Sequence, residues 1–169
     1  MVIQIKSVNG ICIKMNYMKI LNEKQKKEIE EKLEERFGIK EIPGKIVMRG
    51  GERLFLYSGN LDEEKIREIE ETVFIERVGI YFAKIEENGE MRLSIEGTQI
   101  LREQIKKNIF ILNEEQLEKW MMGSELNIKS GMKGFVIMKY KDELLGTGKA
   151  SEEKISNFIP KNRRLREKS

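Results

Sequence analysis

Residues 108–123, NIFILNEEQLEKWMMG, and residues 134–149, GFVIMKYKDELLGTGK, decide the fold of this chain. The first stretch opens on an apolar run at 108–112, too short for a helix and rich in isoleucine, which reads as a strand. Asn113 then offers a capping-box pair with Gln116, which satisfies two otherwise open backbone donors at a helix start. Leu117, Trp120 and Met121 share one face of that helix, and Gly123 ends it. A tryptophan at helical spacing reads as core rather than as a platform for a base. The second stretch is a strand at 134–140 that Lys141, Asp142 and Glu143 turn back into a strand at 144–150. Strand, helix, glycine and hairpin in that order describe a small β-rich unit.

Upstream the pattern differs. Asn22 with Gln25 opens a helix over 22–37, whose Ile29, Leu33 and Phe37 form an apolar stripe, and Gly38 closes it. Strands at 45–48 and 53–57 flank an Arg49-Gly50-Gly51-Glu52 turn. A second helix spans 61–71, with Asn60 and Glu63 at its start and Leu61, Ile66 and Ile69 inward. Residues 73–85 read as strand, broken at Gly79, and Asn88-Gly89 turns into a short strand at 91–93. A third helix spans 94–106 with Ile100, Leu101 and Ile105 inward. Residues 126–128 are a weaker strand, and 157–169 form a turn or extended tail. The fold class is therefore α+β, with an N-terminal mixed unit at 1–92 and a β-rich unit at 93–169. Met15 and Met18 offer alternative chain starts, which makes the first segment a peripheral strand.

Composition narrows the chemistry. The 169 residues include one cysteine and no histidine. A disulfide framework and a Cys/His zinc site are excluded, as are Ser–His and Cys–His nucleophiles. The lone cysteine, Cys12, fits a reducing, cytoplasmic home; no apolar run approaches a membrane span, and the N-terminus lacks a signal-peptide core, so no membrane is expected. The Glu-rich helix faces read as solvated. Gly146-Thr147-Gly148 lacks the third glycine and following helix of a dinucleotide fingerprint and reads as a tight strand or bulge. Gly131-Met132-Lys133-Gly134 matches the loop of a KH module in letters, but a strand follows where that module needs a helix. No catalytic set, cofactor or metal is expected.

Charge supplies the positive signal. Residues 1–105 carry 18 Lys and Arg against 20 Asp and Glu, whereas residues 106–169 carry 14 against 9. Such asymmetry points to a polyanionic partner for the second half. Lys129, Lys133, Lys139, Lys149, Lys161, Arg163, Arg164 and Arg166 are the candidate phosphate contacts, because each cation near a phosphate releases condensed counterions. Arginine adds stacking and two-pronged phosphate bridging. The competing reading is a solvated tail.

The stretch 108–123 resembles the opening strand, helix and glycine of a PUA domain, the module named for pseudouridine synthases and the archaeosine transglycosylase. Residues 134–140 followed by Leu144-Leu145-Gly146-Thr147-Gly148-Lys149 resemble its closing hairpin. Asn157, Pro160 and Lys161, with Arg163, Arg164 and Arg166, are similar to the tail of Sun-family RNA cytosine-5 methyltransferases, whose pattern is Lys-Asn-His-Tyr-Pro-Lys. The family's lysine and histidine fall in the Ile155-Ser156 and Phe158 neighbourhood here. The order of elements also resembles the small ribosome-assembly factor that joins a pre-PUA α+β domain to a PUA domain, and Arg92-Leu93-Ser94 carries part of that likeness.

The resemblance implies a pre-PUA-like unit at 1–92 and a PUA-like β pseudo-barrel at 93–169. It implies a non-catalytic protein that binds structured RNA, ribosomal or transfer, in ribosome biogenesis, rRNA processing or RNA modification. A ribosome-assembly or RNA-modification protein is the implied partner. With no methyltransferase domain in the sequence, the chain reads as an RNA-reading module acting in trans. The alternative is a protein-interaction scaffold or accessory subunit whose acidic N-terminal half docks a partner.

Overall fold

The computed structural model describes residues 5–8, 11–14 and 18–166, and strand pairing alone in the first two segments. There, strands β1 (Ile5–Val8) and β2 (Ile11–Lys14) form an antiparallel hairpin. The alternative starts at Met15 and Met18 bracket residues 15–17, which lie outside the described residues. Met18 itself is buried.

Helix α1 (Glu23–Phe37) starts where the capping box places it. The Asn22 side chain accepts from the Gln25 amide at 2.9 Å, and the Asn22 amide donates to the Gln25 side chain at 3.3 Å. Gly38, at φ +85°, ends the helix in the left-handed region that favours glycine. The stripe Ile29, Leu33 and Phe37 is buried against an antiparallel five-stranded sheet. Its order is β3 (Lys19–Ile20), β4 (Lys45–Arg49), β5 (Arg53–Tyr57), β6 (Ile80–Ile85) and β7 (Met91–Leu93). Helix α2 (Glu63–Thr72) accompanies a second buried cluster, in which its Ile66 meets Met18, Val47 and Phe55.

Three expectations for this half shift. Asp62 caps α2 instead of Asn60, its carboxylate accepting from the Lys65 amide at 2.9 Å. Leu61 is held back because its amide donates to the Tyr57 hydroxyl at 2.9 Å. Ile69 is exposed. Residues 73–79 form no strand, since Ile75 and Val78 pack on the Val47–Phe55 cluster without pairing, and β6 begins only after Gly79.

Helix α3 (Ile95–Ile100) is shorter than the expected 94–106, and a 3-10 turn follows at Arg102–Gln104. The chain turns because the amides of Lys106 and Lys107 both donate to the Phe37 carbonyl, at 2.9 and 3.2 Å, and so tie it to the end of α1. Leu101 and Ile105 are buried as expected, whereas Ile100 faces solvent.

The second sheet is four-stranded and open. Its order is β11 (Ile155–Asn157), β10 (Glu143–Ala150), β9 (Gly134–Tyr140) and β8 (Ile109–Ile111), with only β8 and β9 parallel. The strand β11 ends at Asn157, where the expected tail begins, and that tail holds a 3-10 turn at Lys161–Arg163. Residues 126–128 contribute a single bridge from Leu126 to Ile155. Helix α4 (Glu114–Met121) carries the capping box of Asn113 and Gln116, and its Trp120 is fully buried.

Both faces of this sheet are covered. Phe135, Ile137 and Leu144 join α1 and the first sheet in one cluster. Val136, Met138 and Ala150 join Trp120 in another. The first cluster therefore runs across residue 92. Gly146-Thr147 forms the expected bulge, and it ties the sheets together: the buried Thr147 hydroxyl donates to the Leu93 carbonyl at 2.7 Å. Gly148 has no room for a side chain, since a Cβ there would lie 2.9 Å from the Trp120 ring. Among the described residues, no helix is long and apolar enough to cross a membrane, and no cluster of three or more metal-ligating side chains occurs.

Candidate nucleic-acid interface

The junction of the two sheets carries a strip of cations interleaved with aromatic rings. The Lys149 ammonium lies 5.1 Å from the centre of the Phe135 ring. Phe135 packs on Phe158 at 5.8 Å, with ring planes tilted by 55°. The Arg92 guanidinium covers the other ring, 4.6 Å from the Phe158 centroid. Cations over ring faces are held electrostatically, so this order of groups is a stable arrangement. Strand pairing sets it up, because β10 aligns Lys149 with Phe135 and β7 aligns Arg92 with Lys84.

The strip continues into a cleft of about 60 Å³ between the start of α3, the β10 bulge and the segment after β11. Arg92, Ser94, Glu96, Phe158, Pro160 and Arg163 line it. Lys161 follows Pro160 and is exposed. At the other end, Arg36 of α1 donates through Nε to the Phe135 carbonyl at 2.7 Å and through Nη2 to the Lys133 carbonyl. That contact fixes the loop carrying the exposed Lys133.

Carboxylates accompany the cations. Arg92 Nε donates to Glu86 at 2.8 Å. Burial opposes ionisation of Glu86, but that bond and the charges of Arg92 and Lys84 outweigh it and hold the carboxyl below its ordinary value. Lys149 pairs with Glu90 at 3.2 Å. The Asn88 amide, then Lys149 and Arg36, hold Glu90 low against the opposing effect of burial. Arg163 pairs with Glu96. Burial pushes the Tyr81 phenol beside the cleft above its ordinary range, against the opposing charges of Arg92, Arg53 and Lys84.

The eight candidate cations divide accordingly. Lys149 lies on the strip, Arg163 lines the cleft, Lys161 is exposed two residues before it, and Lys133 borders the other end. Lys139 sits four residues along β9 from Phe135, roughly 13 Å away at strand rise, beside the β8 edge. Lys129 pairs with Glu153 at 3.4 Å, both largely exposed. Arg164 has a structural place: its Nε donates to the Ile159 carbonyl at 3.0 Å, and its side chain packs over Gly123. Arg166 is exposed beyond Leu165, whose amide donates to the Met121 carbonyl at 2.9 Å. The tail is thus docked. Asn157 reinforces it, donating to the carbonyls of Trp120 and Ser124 at 2.7 and 3.1 Å.

Sequence reasoning did not select Arg36, Arg92, Phe135, Glu90 or Glu96 for this site. Arg92 lay in the Arg92-Leu93-Ser94 likeness and Phe135 in the 134–140 hairpin likeness, but neither was singled out as a contact. The others are brought in by pairings across the fold.

Residues 107–165 match the family model described as the methyltransferase RsmF PUA domain, about a third of the chain's length. No curated protein matches the chain. The matched segment spans β8, α4, β9, β10 and β11 and includes Phe135, Lys149, Phe158 and Arg163. The chain therefore carries, in residues 107–165, a PUA domain resembling the C-terminal RNA-recognition domain of Sun-family RNA cytosine-5 methyltransferases.

Proposed function

We propose that this protein binds structured RNA, ribosomal or transfer, without catalysing a reaction itself, and serves ribosome biogenesis, rRNA processing or RNA modification in the cytoplasm. The observation that carries the reading is the strip Lys149–Phe135–Phe158–Arg92, leading to Arg163 and Lys161 on a PUA domain. Cations at the ends suit phosphates. In this reading residues 93–169 are the RNA-recognition unit, an open four-stranded relative of the PUA pseudo-barrel, and residues 1–92 are its pre-PUA-like support.

Titration of a labelled structured RNA at several salt concentrations tests the proposal. Replacing Lys161, Arg163 and Arg166 together by Gln should weaken binding to every RNA tested. Each lost phosphate contact should flatten the salt dependence by about one unit of log–log slope. Unchanged affinity would remove these cations from the interface.

A second reading, docking of a protein partner on the N-terminal half, has its own observation. Phe74 is 83% exposed, and Val73 and Ile69 beside it are exposed at the end of the acidic helix α2. Phe74→Ser should then weaken co-purification with an assembly or modification protein and leave RNA affinity intact.

A further inference from the structure

We propose that an unpaired stretch of RNA crosses from the PUA surface onto the first sheet, along a row of four cations that ends at the exposed ring of Phe74. This rests on the RNA-binding reading above. Strand register builds the row. Arg49 pairs with Arg53 between β4 and β5, Arg53 with Lys84 between β5 and β6, and Lys84 with Arg92 between β6 and β7. Directly paired residues stand on one face of a sheet, so each of the four strands sets a cation beside the next. Val47 and Phe55 share that face and pack in the cluster of α2. Phe74, two residues after α2, reaches the Arg49 end of the row, where the guanidinium lies 5.2 Å from its ring centre.

Stability does not explain the row. Like charges directly opposite one another destabilise a sheet, and here successive pairs are alike across four strands. Two carboxylates offset the cations. Glu52 pairs with Arg53 at 3.8 Å and Lys84 at 3.3 Å, and Glu86 with Lys84 at 3.5 Å and Arg92 at 2.8 Å. Among the described residues no carboxylate forms an ion pair with Arg49, and Glu70, on which its charge acts, accepts from the Met18 amide at 3.2 Å. Positive charge is thus gathered on one face of a half that is acidic in sum. Adjacent strands lie about 4.8 Å apart, so the row runs for about 14 Å, and a stacked nucleic-acid strand brings a phosphate for each roughly 3.4 Å of rise. More than one phosphate therefore fits along it. Both ends carry an aromatic ring. Arg92 covers Phe158 and so joins the row to the Phe135–Lys149 strip, whereas Arg49 covers one face of Phe74, which is 83% exposed. A line of cations leading to an open ring is the pattern that holds single strands, with phosphates on the cations and a base stacked on the ring.

Fluorescence anisotropy on the full chain tests this with two labelled RNAs, a bare hairpin and the same hairpin with an unpaired tail at each end. The wild-type protein should bind the tailed RNA about tenfold tighter, the size that one stacked base contributes. Arg49→Gln/Arg53→Gln should lose most of that gain and bind the bare hairpin as before. Its salt slope for the tailed RNA should fall by about 1.4, at about 0.7 for each single-strand phosphate contact. Its urea midpoint should stay level or rise, because like-charged pairs are relieved. Phe74→Ala should lose part of the gain with the salt slope unchanged, since no charge is removed. The variant at Lys161, Arg163 and Arg166 should weaken both RNAs by the same factor and keep the gain from the tails. Tails that add nothing in the wild type overturn the proposal, as does a gain that survives in Arg49→Gln/Arg53→Gln or in Phe74→Ala. A gain that survives in Phe74→Ala together with loss of a co-purifying protein would assign the ring to the docking reading above. If the wild type binds neither RNA, the RNA-binding reading itself fails.

Discussion

Arg164 shows how one residue changes meaning between sequence and fold. Its neighbours are cations at the end of a basic tail, but its guanidinium bonds the Ile159 carbonyl and rests on Gly123. Gly123 has φ +87°, and a Cβ there would come within 2.2 Å of Arg164 Nε. Gly123→Ala should therefore cost about 1–3 kcal/mol in urea unfolding, from left-handed backbone strain and the displaced arginine. Arg164→Ala should lower stability while leaving the salt slope of RNA binding unchanged, a result that separates it from Lys161 and Arg163. Trp120 offers a second single-residue check. Its ring is fully buried and its Nε1 donates to the Leu145 carbonyl at 3.3 Å. Trp120→Ala should cost about 3–5 kcal/mol by chemical denaturation.

At the scale of elements, the turn between β6 and β7 gathers Glu86 and Glu90 against Arg92 and Lys149. Both carboxyls titrate below their ordinary value of 4.5 in the folded chain. A depressed folded value means stability that is present above 4.5 and is lost as pH falls through the lowered values. Urea midpoints should thus hold above about pH 4.5 and fall as the pH drops below it, and fall less in Glu86→Gln/Glu90→Gln, whose amides do not titrate. The elements that could be read in advance are those that local chemistry decides. Asn22 with Gln25 and Asn113 with Gln116 fixed two helix starts, Asn88-Gly89 a turn, and the run 134–140 a strand. The elements that departed were decided from a distance. The Phe37 carbonyl stops the third helix early by taking the amides of Lys106 and Lys107, and pairing with β10 makes a strand of residues 155–157, for which local sequence offered no reading. The candidate site was half legible for the same reason: Lys149, Lys161 and Arg163 stand out as cations, whereas Glu90 and Glu96 reach them from residues distant in the chain.

For the whole molecule, the decisive feature is the cluster that holds α1, the first sheet and one face of the second sheet together. Leu33→Ala in α1 should cost about 2–5 kcal/mol. It should also shift the unfolding transition reported by fluorescence of Trp120, the single tryptophan, although that residue sits in the other cluster. Transitions that separate, with far-UV circular dichroism moving and fluorescence fixed, would mean that the sheets unfold independently. Joining the halves also governs what evolution or a protease can do to the molecule. Arg92 and Glu90 come from one side of the seam, Lys149 and Arg163 from the other, so severing the backbone near Leu93 would yield two fragments that each inherit only part of the proposed interface. The C-terminal piece would in addition display Phe135, Ile137 and Leu144 to water and become sticky, which makes the seam a place where cleavage silences the protein instead of releasing a working module.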